Sequence, residues 1–514
     1  MAGKGGNAAS GTSGTAGTGT TAGSGGSAGS VTAGSSGTNS TAGSNAGGTG
    51  GTVAGMGGGG TGFGGKGFGG MPNTGGSAGN PGGTGGSASG SGGQGTGGVP
   101  SKGDGPLGPE LTDVDAITPA TCTITPTVMP AQAIPMVGIA TFTTDLAGAS
   151  GAIIQFGESA EYTLEAPVDW AEPEHRTLIL GMPANTAVHY RVVVFAGDTA
   201  CVGPDATFQT GAPPSGAPAN VNPTRGTSAV APAPGFIIAE NGNNAFIVNK
   251  AGKVVWAHRF PVSLTRALMS WDGKYMIARE LGPFNAASGG AIYRVAMDGT
   301  GEMKLNVSGG THHDVTVTPT GIAYPAKAQA GQCDSLYVAN LDGSNSRAVV
   351  NLDVVFGKFD NGPGSAAMEE CHVNAIHYYA DRDAFSLSDR EKDAIAFVSS
   401  SGEVIGSIGA TPNGQTPNHA KAEGADSTTN SAWRVQHGHD WYEDNKLIVW
   451  SNGSFMGGMS KLLHYTINGS MATLDWEYGG TGNSPTLSDA QHLPNGNFLG
   501  TCSQTGAVHE IDPE

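Results

Sequence analysis

The chain has 514 residues, 88 of them glycine, and a formal net charge of −18. So acidic a balance, with no Lys/Arg cluster in its later part, argues against nucleic acid and anionic membrane surfaces as partners. No apolar run reaches the ~18 residues expected of a membrane-spanning helix, so no membrane span is expected.

Residues 1–104 are mostly Gly, Ser, Thr and Ala, and Lys4, Lys66, Lys102 and Asp104 are their only charges. Such a segment has too few apolar side chains to offset the entropy of ordering its backbone, and we expect a disordered, extended tether. The opening "MAGKGGNAASG" lacks the basic start, apolar middle and cleavage site of a signal peptide. A long tether ahead of an all-β body nevertheless leads us to expect export, to the periplasm or the cell surface.

Residues 105–215 carry short β-branched runs, among them "TCTITPTV", "MVGIATFTT" and "VHYRVVVFA", separated by Gly, Pro, Asn and Asp. That spacing predicts a small β-sandwich. With Leu180, Pro183, Thr186, Tyr190 and Arg191 in "LILGMPANTAVHYR", it resembles a fibronectin type III domain. Residues 216–234 are Pro-rich and read as a stiff linker. From residue 235 to 514 the chain repeats. Hairpins turn at Gly252, Gly299, Gly343, Gly402 and Gly469, at spacings of 47, 44, 59 and 67 residues, and a second set of hairpins lies between them. Counting a C-terminal fragment, this gives six units, the first and last incomplete, and predicts a six-bladed β-propeller. The expected fold class is therefore all-β.

Cys122 and Cys201 stand near the two ends of the sandwich and can staple it in an oxidising compartment, whereas Cys333, Cys371 and Cys502 fall in the propeller. Burial of all five as small hydrophobes is an equally open reading.

Three segments of the propeller place histidines at the start of a blade's first strand: "THHDVTVTPTG" with His312 and His313, "CHVNAIHYY" with His372 and Asn374, and "WRVQHGHDWY" with Gln436, His437 and His439. First strands line a propeller's channel and begin at one end, so these histidines should meet at one mouth. Arg390, closing the second strand after His372, should return there. The remaining histidines, His377 and His492 among them, are expected to be packing or surface residues.

With His372 and Asn374, Ser388 and Arg390, and Gln436 and His437 followed by Trp450, Ser451, Asn452 and Gly453, residues 235–514 resemble the bacterial arylsulfate sulfotransferase family. The resemblance implies transfer of a sulfuryl group from a phenolic sulfate to a phenol by a ping-pong route through a sulfohistidine, with no cofactor and no metal. It assigns His437 as nucleophile, with His439 two residues on as the alternative, and His372, His313 and Arg390 as supporting catalytic groups. Asn374, Gln436, His439 and His312 would contact substrate. Two other readings stay open. The histidines, with Asp314 or Asp440, can form the zinc site of a metal-dependent ester hydrolase. The chain can also be a non-catalytic, adhesin-like binding protein.

Deletion of residues 1–104 is expected to leave melting temperature and turnover unchanged. A large loss of either in the truncated chain would show that the segment packs on the body.

Overall fold

Runs of apolar and β-branched residues, cut every few positions by Gly, Asp and Asn, make strands of nearly every regular segment. The computed structural model describes residues 111–514, apart from 229, 283–288, 328–332, 357–370, 410–417, 424–432, 454–458 and 480–482. The expected tether lies outside the described residues.

The sandwich is present. Ile124–Pro130, Gly138–Thr144 and Thr177–Ile179 form one sheet, and the other is built around Ala187–Ala196 and Gly151–Gly157. Alternation along Ala187–Ala196 sends Val188, Tyr190, Val192 and Val194 inward, onto Phe142, Ile154 and Phe156. Cys122 and Cys201 are joined by a disulfide, as are Cys333 and Cys371 in the propeller, while Cys502 is a buried free thiol.

The six-bladed propeller is also present. Its blades span residues 236–259, 264–304, 310–351, 373–409, 437–478 and 489–511, with three strands described in the first and last blades and at least four in each of the others. An additional strand, His419–Ala422, lies parallel to both Val404–Gly409 and Met471–Tyr478 and links blades 4 and 5 at their outer edges.

The sandwich is seated on the propeller. Ile134, Met136 and Val137 enter one core with Trp256, Val295 and Met297 of blades 1 and 2. Arg176 pairs with Asp298 at 2.5 Å, and Lys274 reaches Asp169 and Glu172 at 3.1 and 3.2 Å. Gly299, at φ +85°, turns its hairpin where a Cβ would lie 2.7 Å from Ile134. The linker runs back along blade 6: Ser228 donates to Asp512 at 2.6 Å, the Ala233 N–H to Glu510 at 2.7 Å, and Asn495 to the Ala231 carbonyl at 3.1 Å.

Innermost strands of neighbouring blades do not pair as a ladder, so buried carboxylates bridge them. Asp314 accepts the Ile376 N–H, Asp334 the Val373 N–H and Asp440 the His492 N–H, each at 2.9 Å. Arg266 of blade 2 pairs with Asp314 of blade 3, at 3.3 Å, and with Asp489 of blade 6.

Arg266→Met leaves Asp314 and Asp489 facing each other without a cation. It is expected to lower unfolding stability by about 3 kcal/mol, read as a fall in the urea midpoint, with Arg266→Lys recovering part of it. An unchanged midpoint in Arg266→Met would show that the ring does not depend on this pair.

Candidate functional site

His312 and His313 lie in the break between the two pieces of blade 3's inner strand, Gly310–Thr311 and Thr316–Thr318, and His372 immediately precedes that of blade 4, Val373–Tyr379. His437 opens the inner strand of blade 5, His437–Tyr442. Consecutive side chains of an extended strand point opposite ways, yet His312 and His313 enter the same cluster. The reason is His313, whose φ of +51° turns the chain into the left-handed region. Ring centroids stand 4.6 Å apart for His312 and His313, 4.7 Å for His312 and His372, and 4.5 Å for His313 and His372. The His437 ring is 6.2 Å from that of His313.

His437 and His439 part company at a β-bulge. His437 stands opposite Trp450 and His439 opposite Val449, with Gly438 the extra residue, so the two side chains leave the strand in different directions. A side chain at Gly438 would meet the Asp489 Cα of blade 6 at 2.2 Å. His439 turns instead to blade 4. There its Nε2 meets the Ser386 hydroxyl at 2.6 Å, and its ring crosses that of His377 at 4.9 Å. The structure thus brings His312, His313, His372 and His437 together and leaves His439 with His377 in a second, buried pair.

The tautomer of His437 follows from its neighbours. Asn452 donates its amide N–H groups to the carbonyls of Ser484, at 2.5 Å, and Leu487, at 2.7 Å, which turns its Oδ1 toward His437. His437 Nδ1 lies 2.8 Å from that oxygen and 3.1 Å from the Val435 carbonyl. Both are acceptors, so Nδ1 carries the proton and Nε2 keeps its lone pair. Burial lowers the His437 pKa to about 4, helped by the charge of Arg390 and opposed by the two hydrogen bonds. Val435, at φ +52°, is a β-branched residue in the left-handed region, a strained conformation held directly beside this imidazole.

His313 and His372 face each other through their Nε2 atoms at 2.5 Å, a contact that accommodates a single proton. Burial and the adjacent imidazoles push the His313 pKa well below its usual value. Glu391 lies 4.0 Å from His372 Nδ1, and Arg390 binds the same carboxylate at 2.6 Å. Arg390 therefore stands at the mouth as expected, with its charge shared with its neighbour. Asn374 and Gln436 act mainly on the frame. Asn374 donates to the Gln436 carbonyl at 2.6 Å, and Gln436 donates to the carbonyls of Asp389 and Ala394 at 2.8 and 3.2 Å. Their Asn374 Oδ1 and Gln436 Oε1 atoms remain buried without a hydrogen bond.

The carboxylates of the zinc-hydrolase reading are committed elsewhere, Asp314 to the Ile376 and Val315 N–H groups and Asp440 to the His492 N–H. A separate hollow of about 380 Å³, lined in part by Thr318, Arg347, Tyr378 and Asp383, lies at the other end of blades 3 and 4, and none of its described lining residues is a histidine.

Sequence reasoning passed over Glu391, Asn452 as a partner of His437, and Arg279. The last is fully buried and donates to the Thr311 carbonyl at 2.7 Å. A signal for it existed. Arg279, Lys327, Arg390 and Asn452 all lie at or just beyond the ends of their blades' second strands, the position that returns to the histidine mouth.

No family model and no curated protein sequence matches the chain. Among solved structures, it is similar to a Bacteroides uniformis protein provisionally described as a 6-phosphogluconolactonase, at 12% identity over 52% of this chain and 90% of that one, with a TM-score of 0.32. TolB of Acinetobacter baumannii aligns at 11% identity over 65% and 78%, TM-score 0.32. A gluconolactonase of Xanthomonas campestris aligns at 10% over 52% and 82%, TM-score 0.26.

Nitrogen-15 NMR of histidine-labelled protein is expected to show His437 protonated on Nδ1, with a bare Nε2 that titrates near pH 4. A midpoint near the ordinary ~6.5, or a bare Nδ1, would overturn the assignment.

Proposed function

We propose that the chain is a nucleotide-independent aryl sulfotransferase, similar to the bacterial arylsulfate sulfotransferase family, with His437 as the group that carries the sulfuryl. The observation that supports this most is the bare Nε2 of His437, aimed by the Asn452 amide oxygen and set beside a histidine pair that shares one proton.

In the first half-reaction the Nε2 lone pair attacks sulfur, the S–O bond to the phenol breaks, and the phenolate leaves. The His313–His372 pair acts in its cationic form, with both Nδ1 atoms protonated and one proton between the Nε2 atoms; that proton passes to the phenolate oxygen and leaves the pair neutral. The sulfated imidazole is cationic, and Asn452 Oδ1 steadies its Nδ1–H without removing the proton, which keeps the N–S bond labile. A second phenol then attacks sulfur, returns its proton to the histidine pair and restores the His437 lone pair. Charge spread over the sulfuryl oxygens in both transition states calls for fixed positive groups, and Arg390 at the mouth, with Arg279 beneath, supplies them. Glu391 orients His372 from its Nδ1 side. The two disulfides fit the expectation of an oxidising compartment.

Brief incubation with 4-nitrophenyl sulfate and no acceptor is expected to add one sulfuryl mass to the intact protein, and added phenol should remove it. His437→Ala should abolish both adduct and turnover, whereas His439→Ala should retain the adduct. Arg390→Lys should lose at least ~10-fold in kcat with the fold intact. An adduct that survives in His437→Ala, or donor hydrolysis that never passes through one, would sink the reading.

A further inference from the structure

The transfer reaction proposed above uses His437, His313 and His372, and leaves His312 without a task. His312 is 2% exposed, and its Nδ1 faces two acceptors, the Val373 carbonyl at 3.2 Å and the Asp334 carboxylate at 3.4 Å. Nδ1 therefore carries the proton, and Nε2 presents a lone pair that is buried and has no hydrogen-bond partner. A lone pair enclosed in this way is unfavourable unless something fills the space in front of it.

The ligand atoms of His312, His313 and His372 all lie within 4.8 Å of one another. The three rings are inclined at 87°, 65° and 43° to each other, so they converge instead of stacking. Two of them have a carboxylate behind the far nitrogen, Asp334 at 3.4 Å for His312 and Glu391 at 4.0 Å for His372. A carboxylate behind a ligating imidazole fixes its tautomer and raises its basicity, as in many metal centres.

We propose that His312, His313 and His372 form a three-imidazole site for a late first-row dication, Zn²⁺, Co²⁺ or Cu²⁺, and that an ion bound there blocks sulfuryl transfer. Three neutral nitrogens without carboxylate or thiolate ligands disfavour Mg²⁺ and Ca²⁺. The block follows from atom economy. An ion held by the Nε2 atoms of His313 and His372 displaces the proton that the departing phenolate needs. This second clause rests on the transfer reading; the binding clause does not.

The full chain, stripped with a chelator, would be titrated with Co²⁺ and followed by its visible ligand-field spectrum. One saturable equivalent, displaced by Zn²⁺, is expected. His312→Gln should weaken it by more than the ~10–100-fold that loss of an outer partner costs. His313→Gln should do the same, with circular dichroism reporting the fold, and His437→Ala should bind Co²⁺ as the wild type does. No saturable spectrum at millimolar Co²⁺, or wild-type binding by a folded His312→Gln, overturns the site. Zn²⁺ should suppress the sulfuryl adduct of the wild type, and an adduct that forms equally well on the Zn²⁺-loaded protein overturns the block. If no adduct forms even without metal, the transfer reading and the block fall together, while the Co²⁺ spectrum still decides the site.

Discussion

The carboxylates that join one blade to the next carry the rest of this structure. A propeller stacks its sheets face to face, so each innermost strand pairs on one side only and leaves the N–H groups of its other edge toward the channel without a ladder. Buried and unpaired, each would cost about 1–3 kcal/mol. Asp314, Asp334 and Asp440 accept three of these groups from the adjacent blade, and Arg266 ties Asp314 to Asp489 across the channel. Because the Val373 and Ile376 N–H groups are pinned in this way, the start of blade 4 is fixed relative to blade 3. His372 therefore meets His313 at hydrogen-bond distance.

Two local departures from regular strand geometry then select which histidines converge. The left-handed conformation of His313 adds His312 to the cluster, and the bulge at Gly438 separates His439 from it. Blade 4 has a matching bulge at Asn374, whose side chain reaches across to the Gln436 carbonyl of blade 5. The strain stored at Val435 falls in the same few residues, directly beside the His437 imidazole.

The repeat was legible because turn residues punctuate it. Gly252, Gly299, Gly343, Gly402 and Gly469 each adopt positive φ at a hairpin, one in each of the first five blades, and the C-terminal fragment makes the sixth. The convergence of His312, His313, His372 and His437 was legible from strand order alone. The division between His437 and His439 was not. A period of two places residues i and i+2 on one face, and only the bulge reverses that. Glu391 and Arg279 escaped because their roles depend on distances across blades, which no local pattern encodes. His377 escaped for a different reason: as a lone histidine within an apolar strand it resembles any packed side chain, and only the nearness of His439 gives it a partner.

Gly438 also constrains how this chain can vary. Any side chain there would overlap the backbone of Asp489, so residues 438 and 489 cannot drift independently. A lineage in which position 438 acquires a side chain must hold blade 6 farther from blade 5. That displacement would pull Asp489 from Arg266, so the motif around His437 and the ion pair closing the ring are inherited as one unit.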